Sequence, residues 1–180
     1  MTLLPVLACL ALAAGLAQLC TGHLGALVGF SMVQGVAVVL ALAAGGWFLA
    51  ASIVLVLSVV LLLLLFVWMP MPHAGPAGTG SRGWGLALGA VGAALAAQIP
   101  VVGLPFAVLL VGLVAVGTRP APGARVLGVL AMQHGIVLAA CLQGESDGAT
   151  ILVAALPIVP ILLVASLARP RPWPGEGASP

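Results

Sequence analysis

Few side chains in this sequence can do chemistry, and the most telling of them stand in the middle of an apolar run. Between Arg125 and Gln143 (RVLGVLAMQHGIVLAACLQ), Met132-Gln133-His134-Gly135 interrupts an otherwise hydrocarbon stretch. An imidazole can gain and lose a proton, and a carboxamide can donate and accept hydrogen bonds. At roughly 1.5 Å rise per residue the run just spans a hydrocarbon core of about 30 Å, which puts Gln133 and His134 near its midplane. Polar groups at that depth are costly unless they face protein or water, so the imidazole has two readings. It handles protons, or it simply hydrogen-bonds a neighbouring helix. Gln34 and Ser58, in two other apolar runs, complete a candidate intramembrane polar axis with Gln133 and His134. Each is read first as a helix-to-helix hydrogen bonder, on contacts of about 0.6 kcal/mol.

Other chemistries lack their residues. There is no HExxH, no GxSxG, no Cys/His cluster and no pair of carboxylates within an apolar run, so no catalytic residue, metal site or cofactor is expected. Cys9, Cys20 and Cys141 each sit in an apolar run without ligand spacing, where a thiol behaves as a small hydrophobe. His23 and His73 fall in loops. Five scattered arginines make no basic face, which excludes nucleic acid as a partner.

The elements that must position these residues are membrane helices. Of 180 residues, 63% are hydrophobic and 4% charged, with mean hydropathy +1.35 and neither Lys nor Tyr. Eight charged side chains cannot cover a water-soluble domain, so the solvent is the lipid bilayer. The fold expected is all-α, a polytopic transmembrane helix bundle of about seven spans in a single domain over residues 1–169.

The first span, 3–19, is apolar apart from Gln18; it lacks the basic leader of a signal peptide and tolerates Pro5 in its first turn. The second, 24–44, carries Gly25 and Gly29 four apart, a groove for close backbone approach, with Ser31 and Gln34 sharing a face. Gly45-Gly46 ends it, and Trp47 stands where an interfacial anchor would. The third, 47–69, contains the Leu61 to Leu65 block and faces mostly lipid. The segment from Pro70 to Arg82 is too rich in Pro and Gly for helix or sheet.

A short span, 84–98, follows, with Gly85, Gly89 and Gly92 as a packing stripe, then 101–117, bent near Pro105. As one helix, 84–117 would be about 50 Å long, so two helices or a re-entrant hairpin fit better. The central span is 124–143. The last, 150–167, is kinked by Pro157 and Pro160, each lacking an N–H and clashing with a carbonyl four residues back. Residues 170–180 read as a disordered cytoplasmic tail.

With seven spans Arg82, Arg119, Arg125, Arg169 and Arg171 all fall on one side. Arginine excess marks the cytoplasmic face, so the amino terminus is placed outside, the carboxyl terminus in the cytoplasm and the Glu145/Asp147 loop outside.

The order of pieces resembles component E of hydrogenase-4, a membrane subunit similar in its core helices to the K subunit of respiratory NADH:quinone oxidoreductase. Gly29-Phe30-Ser31-Met32-Val33-Gln34, Gly128-Val129-Leu130-Ala131-Met132-Gln133-His134-Gly135 and a last helix entering Leu167-Ala168-Arg169 carry the resemblance. The chain departs from the family's usual acidic positions. Where the family typically has Met-Glu-Asn-Gly this chain has Met132-Gln133-His134-Gly135, with neutral Gln133 at the acidic position. Ser58 stands nearest the position of the family's buried lysine, and Leu156 and Pro157 stand near that of its aspartate. A complete proton channel in this chain alone is therefore not expected, because such relays need groups that titrate.

The resemblance implies a non-catalytic subunit of an ion-translocating oxidoreductase complex in the plasma (inner) membrane. Its partners would be antiporter-like membrane subunits and membrane subunits of a quinone or hydrogenase module. The alternative is a small secondary transporter whose broken last helix lines a path, although no convincing inverted repeat is present. A free-standing membrane enzyme fits least.

Overall fold

The structure is a computed structural model and describes residues 3–68, 83, 87, 89–92, 94, 98, 100–119 and 121–143. Among these the regular elements are all helical: α1 (Leu3–Cys20), α2 (Leu24–Ala44), α3 (Phe48–Trp68), α4 (Pro100–Thr118) and α5 (Pro122–Gln143). Helical positions also occur at Gly83, Ala87, Gly89 to Gly92, Ala94 and Gln98. Gly85, the 70–82 loop, the Glu145/Asp147 loop, the 150–167 span with Pro157 and Pro160, and the 170–180 tail lie outside the described residues.

Leu3–Cys20, Gly25–Ala44 and Pro122–Leu142 are long and apolar enough to cross a membrane; α3 and α4 contribute the shorter apolar stretches Phe48–Leu63 and Gly103–Thr118. The helix ends fall within two residues of those read from sequence. Pro122 begins α5, where its missing N–H and fixed φ cost nothing. Gly46, at φ +85°, takes the left-handed conformation that turns α2 into α3.

Side-chain contacts fix the helix directions. Gln18 meets Gln34, and Gly15 lies beside the same Gln34, so α1 and α2 form an antiparallel hairpin. Cys141 reaches the carbonyl of Ala41, and His134 faces Gly35, so α2 and α5 run parallel. Arg119, just past α4, reaches the last carbonyls of α1, and Gly15 meets Val111, so α1 and α4 also run parallel.

Two clusters fill the interior. The larger joins Leu7 to Leu19 of α1, Ala37 to Leu42 of α2, Ala50 to Val54 of α3, Leu104 to Ala115 of α4 and Val137 to Cys141 of α5. The smaller lies at the other end, where Leu27, Leu61, Leu62 and Leu65 meet Ala124 to Leu130. Val6, Leu10, Met32, Val36, Leu40, Leu55, Val56, Val59, Leu63 and Leu113 face outward, an exterior as apolar as the core. Ser52 donates to its own helix at Phe48 O (2.9 Å), and Thr118 does the same at Val114 O (2.7 Å), so neither hydroxyl needs water.

The closest contact between helices is α4 on α5. A Cβ on Gly112 would lie 2.5 Å from the backbone N of Met132, one on Gly128 2.9 Å from that of Val116, and one on Gly135 2.7 Å from that of Leu109. Three glycines therefore bring two backbones into contact, the usual way membrane helices associate tightly. Gly89 and Gly92 pack similarly, against Leu16 of α1 and Ala107 of α4. Gly25 and Gly29 differ: both are exposed, and a Cβ on either would meet nothing within 4 Å among the described residues. Gly112→Ala should therefore destabilise the bundle by about 1–3 kcal/mol through overpacking, whereas Gly29→Ala should leave it unchanged or slightly more stable. Unfolding of the two variants in mixed detergent micelles separates these outcomes; equal effects would remove the α4–α5 contact from its central place.

Candidate functional site

Among the described residues the buried polar side chains are Gln18 on α1, Ser31 and Gln34 on α2, and Gln133 and His134 on α5, with Arg119 at the end of α4. Ser31 and Gln34 lie three apart and so share a side of α2, while Gly35 beside them turns toward α5. Each residue interrupts an apolar helix that could otherwise rotate freely about its axis. The polar groups fix which face turns inward, since a polar atom left toward hydrocarbon would cost several kcal/mol.

Gln18 Nε2 donates to Gln34 Oε1 at 3.1 Å, tying α1 to α2 across the hairpin. Gly15 makes this possible: a Cβ there would stand 3.4 Å from Gln34 Nε2 and 3.1 Å from Val111 Cγ1. His134 is 2% exposed, and its ring edge faces the bare Cα of Gly35, with a Cβ position 3.6 Å from Cε1. Gln34 Nε2, Ser31 Oγ and both ring nitrogens of His134 have no hydrogen-bond partner among the described residues. Each such buried atom costs on the order of 1–3 kcal/mol until something satisfies it.

Arg119 is 3% exposed and caps α1. Its guanidinium Nη2 donates to Gln18 O (2.7 Å) and Leu19 O (3.0 Å), two of the carbonyls that the end of a helix leaves without an intrahelical partner. A cation at a helix carboxyl end also meets the negative end of the helix dipole. Arg125 Nε donates in turn to Arg119 O at 2.8 Å, fixing the short α4–α5 turn. Gln18 thus links two features, its carbonyl to the arginine and its amide to Gln34.

This cluster can orient hydrogen bonds and, through His134, accept a proton. No group of three His, Cys, Asp or Glu side chains placed to hold a metal ion occurs among the described residues. Cys141 donates to Ala41 O at 3.4 Å and serves as a small helix contact.

Of the residues singled out from sequence, Gln34, Gln133 and His134 are buried and lie on the facing helices α2 and α5. Ser58 is half-buried on α3 and is not among the buried polar side chains. Gln18 and Arg119 carry more of the site than sequence reasoning gave them. Gln18 had a signal, being the lone polar side chain of α1 in a hairpin with Gln34. Arg119 had none, since an arginine after an apolar helix reads equally well as a solvated loop charge.

Fold and site together define a bundle of apolar helices with a polar interior, three of them long enough to cross a membrane. No family model, characterised protein or solved structure matches the chain.

Breaking the α1 cap with Arg119→Met should cost about 1–3 kcal/mol, because two carbonyls lose their donor. A double-mutant cycle of Gln18→Leu and Gln34→Leu should give a coupling of about 0.6 kcal/mol, the usual size within membranes. Zero coupling would mean that the amide pair does not join the helices.

Proposed function

We propose that this chain is a non-catalytic integral membrane subunit of an energy-converting, ion-translocating oxidoreductase complex of the hydrogenase-4 kind. It supplies helix packing and a polar axis to that complex in the plasma (inner) membrane. One observation carries the reading. The two segments that resemble component E, 29–34 and 128–135, lie on α2 and α5, whose facing surfaces meet at Gly35 and His134. The polar residues of those segments, Ser31, Gln34, Gln133 and His134, are all buried, which favours a polar axis. Antiporter-like membrane subunits, and membrane subunits of a quinone or hydrogenase module, would then flank the bundle.

The helix directions support the span count of this reading. The Gly45–Trp47 turn reverses the chain into α3, so α3 runs with α1 and therefore with α4. Between α3 and α4 the chain must return to the starting side, and a crossing there is supported by the helical positions Gly83, Ala87, Gly89 to Gly92, Ala94 and Gln98, of which Gly89 packs on α1 and Gly92 on α4. On this reading six crossings reach Gln143, and 150–167 would add the seventh. Arg119 and Arg125 mark the cytoplasmic side, which puts the amino terminus outside.

Two measurements test this. Affinity purification in mild detergent should recover larger antiporter-like membrane subunits and peripheral redox subunits; a monomer without stable companions would sink the complex. For orientation, a chain retaining Cys20 as its single cysteine should react with a membrane-impermeant maleimide only after the membrane is permeabilised. Labelling in intact cells would reverse the topology.

A further inference from the structure

We infer that α2 and α5 enclose a water-binding site built from Ser31, Gly35 and His134. A neutral imidazole has one N–H donor and one acceptor nitrogen, so a buried histidine needs two partners. Neither nitrogen of His134 has one among the described residues, and the ring is 2% exposed. At that burial a lipid headgroup or a neighbouring subunit cannot reach the ring without opening the bundle. The ligand is therefore small enough to sit inside.

Gly35 leaves that side of the ring without a side chain. A Cβ there would stand 3.6 Å from Cε1 and 3.8 Å from Nε2 of His134, ordinary contact distances, with no other described atom within 4 Å apart from the adjoining residues and backbone of α2 itself. The Nε2 edge of the ring thus faces α2 where that helix presents no side chain, and a methyl added at Gly35 would obstruct the approach of a water molecule to that edge. Ser31 lies four residues before Gly35 and so on the same face of α2, and its buried hydroxyl also lacks a partner. Internal waters take two to four hydrogen bonds and occupy polar sites, whereas empty cavities are apolar. His134 Nε2 and Ser31 Oγ supply two of those bonds, and helix carbonyls with a spare lone pair supply the rest. Gln34 Nε2 lies beside Gly15 of α1, about 100° around α2 from Gly35, and is not one of the groups of this site.

The site rests on the polar-axis part of the proposed function and not on membership of a complex. It makes the axis internal to this chain, solvated by its own water rather than by a neighbouring subunit. Hydration is read on the purified chain and complex membership by co-purification, so either can fail alone.

The test uses the full chain in lipid vesicles, labelled with ¹⁵N-histidine, with His23→Asn and His73→Asn leaving His134 as the single histidine. Solid-state NMR then reads magnetisation transfer from water protons to the ring nitrogens. The expected result is a water-to-ring correlation that is lost in Gly35→Ala, whose added methyl obstructs the approach to Nε2 without clash, and weakened in Ser31→Ala. Circular dichroism and gel filtration report that the variants remain folded. No water-to-ring correlation in the unsubstituted site, or a correlation undiminished in Gly35→Ala, overturns the inference; the first of these outcomes requires no variant to fold.

Discussion

Hydrophobicity cannot tell the inside of this bundle from its outside. With mean hydropathy +1.35, leucines and valines line both the core and the exterior, so turning any helix about its axis changes little apolar burial. Where the surroundings are as apolar as the core, association rests instead on close packing and on hydrogen bonds between helices. The Gly112, Gly128 and Gly135 contact supplies the first, and the Gln18–Gln34 pair and the Arg119 cap supply the second. Remove these and the remaining contacts still attract, but they no longer select one arrangement.

Arg119 holds the position where these two kinds of contact meet. It belongs to the turn between α4 and α5, the pair joined backbone to backbone, and its guanidinium reaches across to α1. Both helices end at the same level, so one side chain sets their relative depth. The carbonyls it caps belong to the dipole end that a cation favours, which offsets part of the cost of burying the charge. Through Gln18 that order extends to Gln34 and the middle of the bundle. A single arginine at the rim therefore aligns a helix that shares no turn with it.

Helix positions were largely legible in the sequence because Gly, Pro and Trp punctuate apolar runs of membrane length. The inward faces of α2 and α5 were legible too, from Ser31, Gln34, Gln133 and His134. Which glycines make contacts was not. Gly25 and Gly29 have the spacing of a packing motif and face open space among the described residues, whereas Gly112 and Gly128, with no such spacing between them, touch across two helices. Spacing along one helix says that a groove exists; only the partner helix decides whether it is filled. Arg119 was opaque for a similar reason, since its acceptors lie on α1, about a hundred residues away in sequence, and no local pattern encodes them.

The polar interior also limits what the bundle can do. All three acidic residues, Glu145, Asp147 and Glu176, fall outside the five helices, so no residue of these helices brings a carboxylate to the cluster around His134. Its neutral amides, hydroxyl and imidazole can pass hydrogen bonds but cannot hold a cation firmly, since that takes several oxygen ligands or a negative charge. Arg119, the one buried cation among the described residues, is neutralised in part by helix carbonyls and sits at the rim. Within these helices a proton could therefore pause only at His134. A longer path would need titratable groups beyond these five helices.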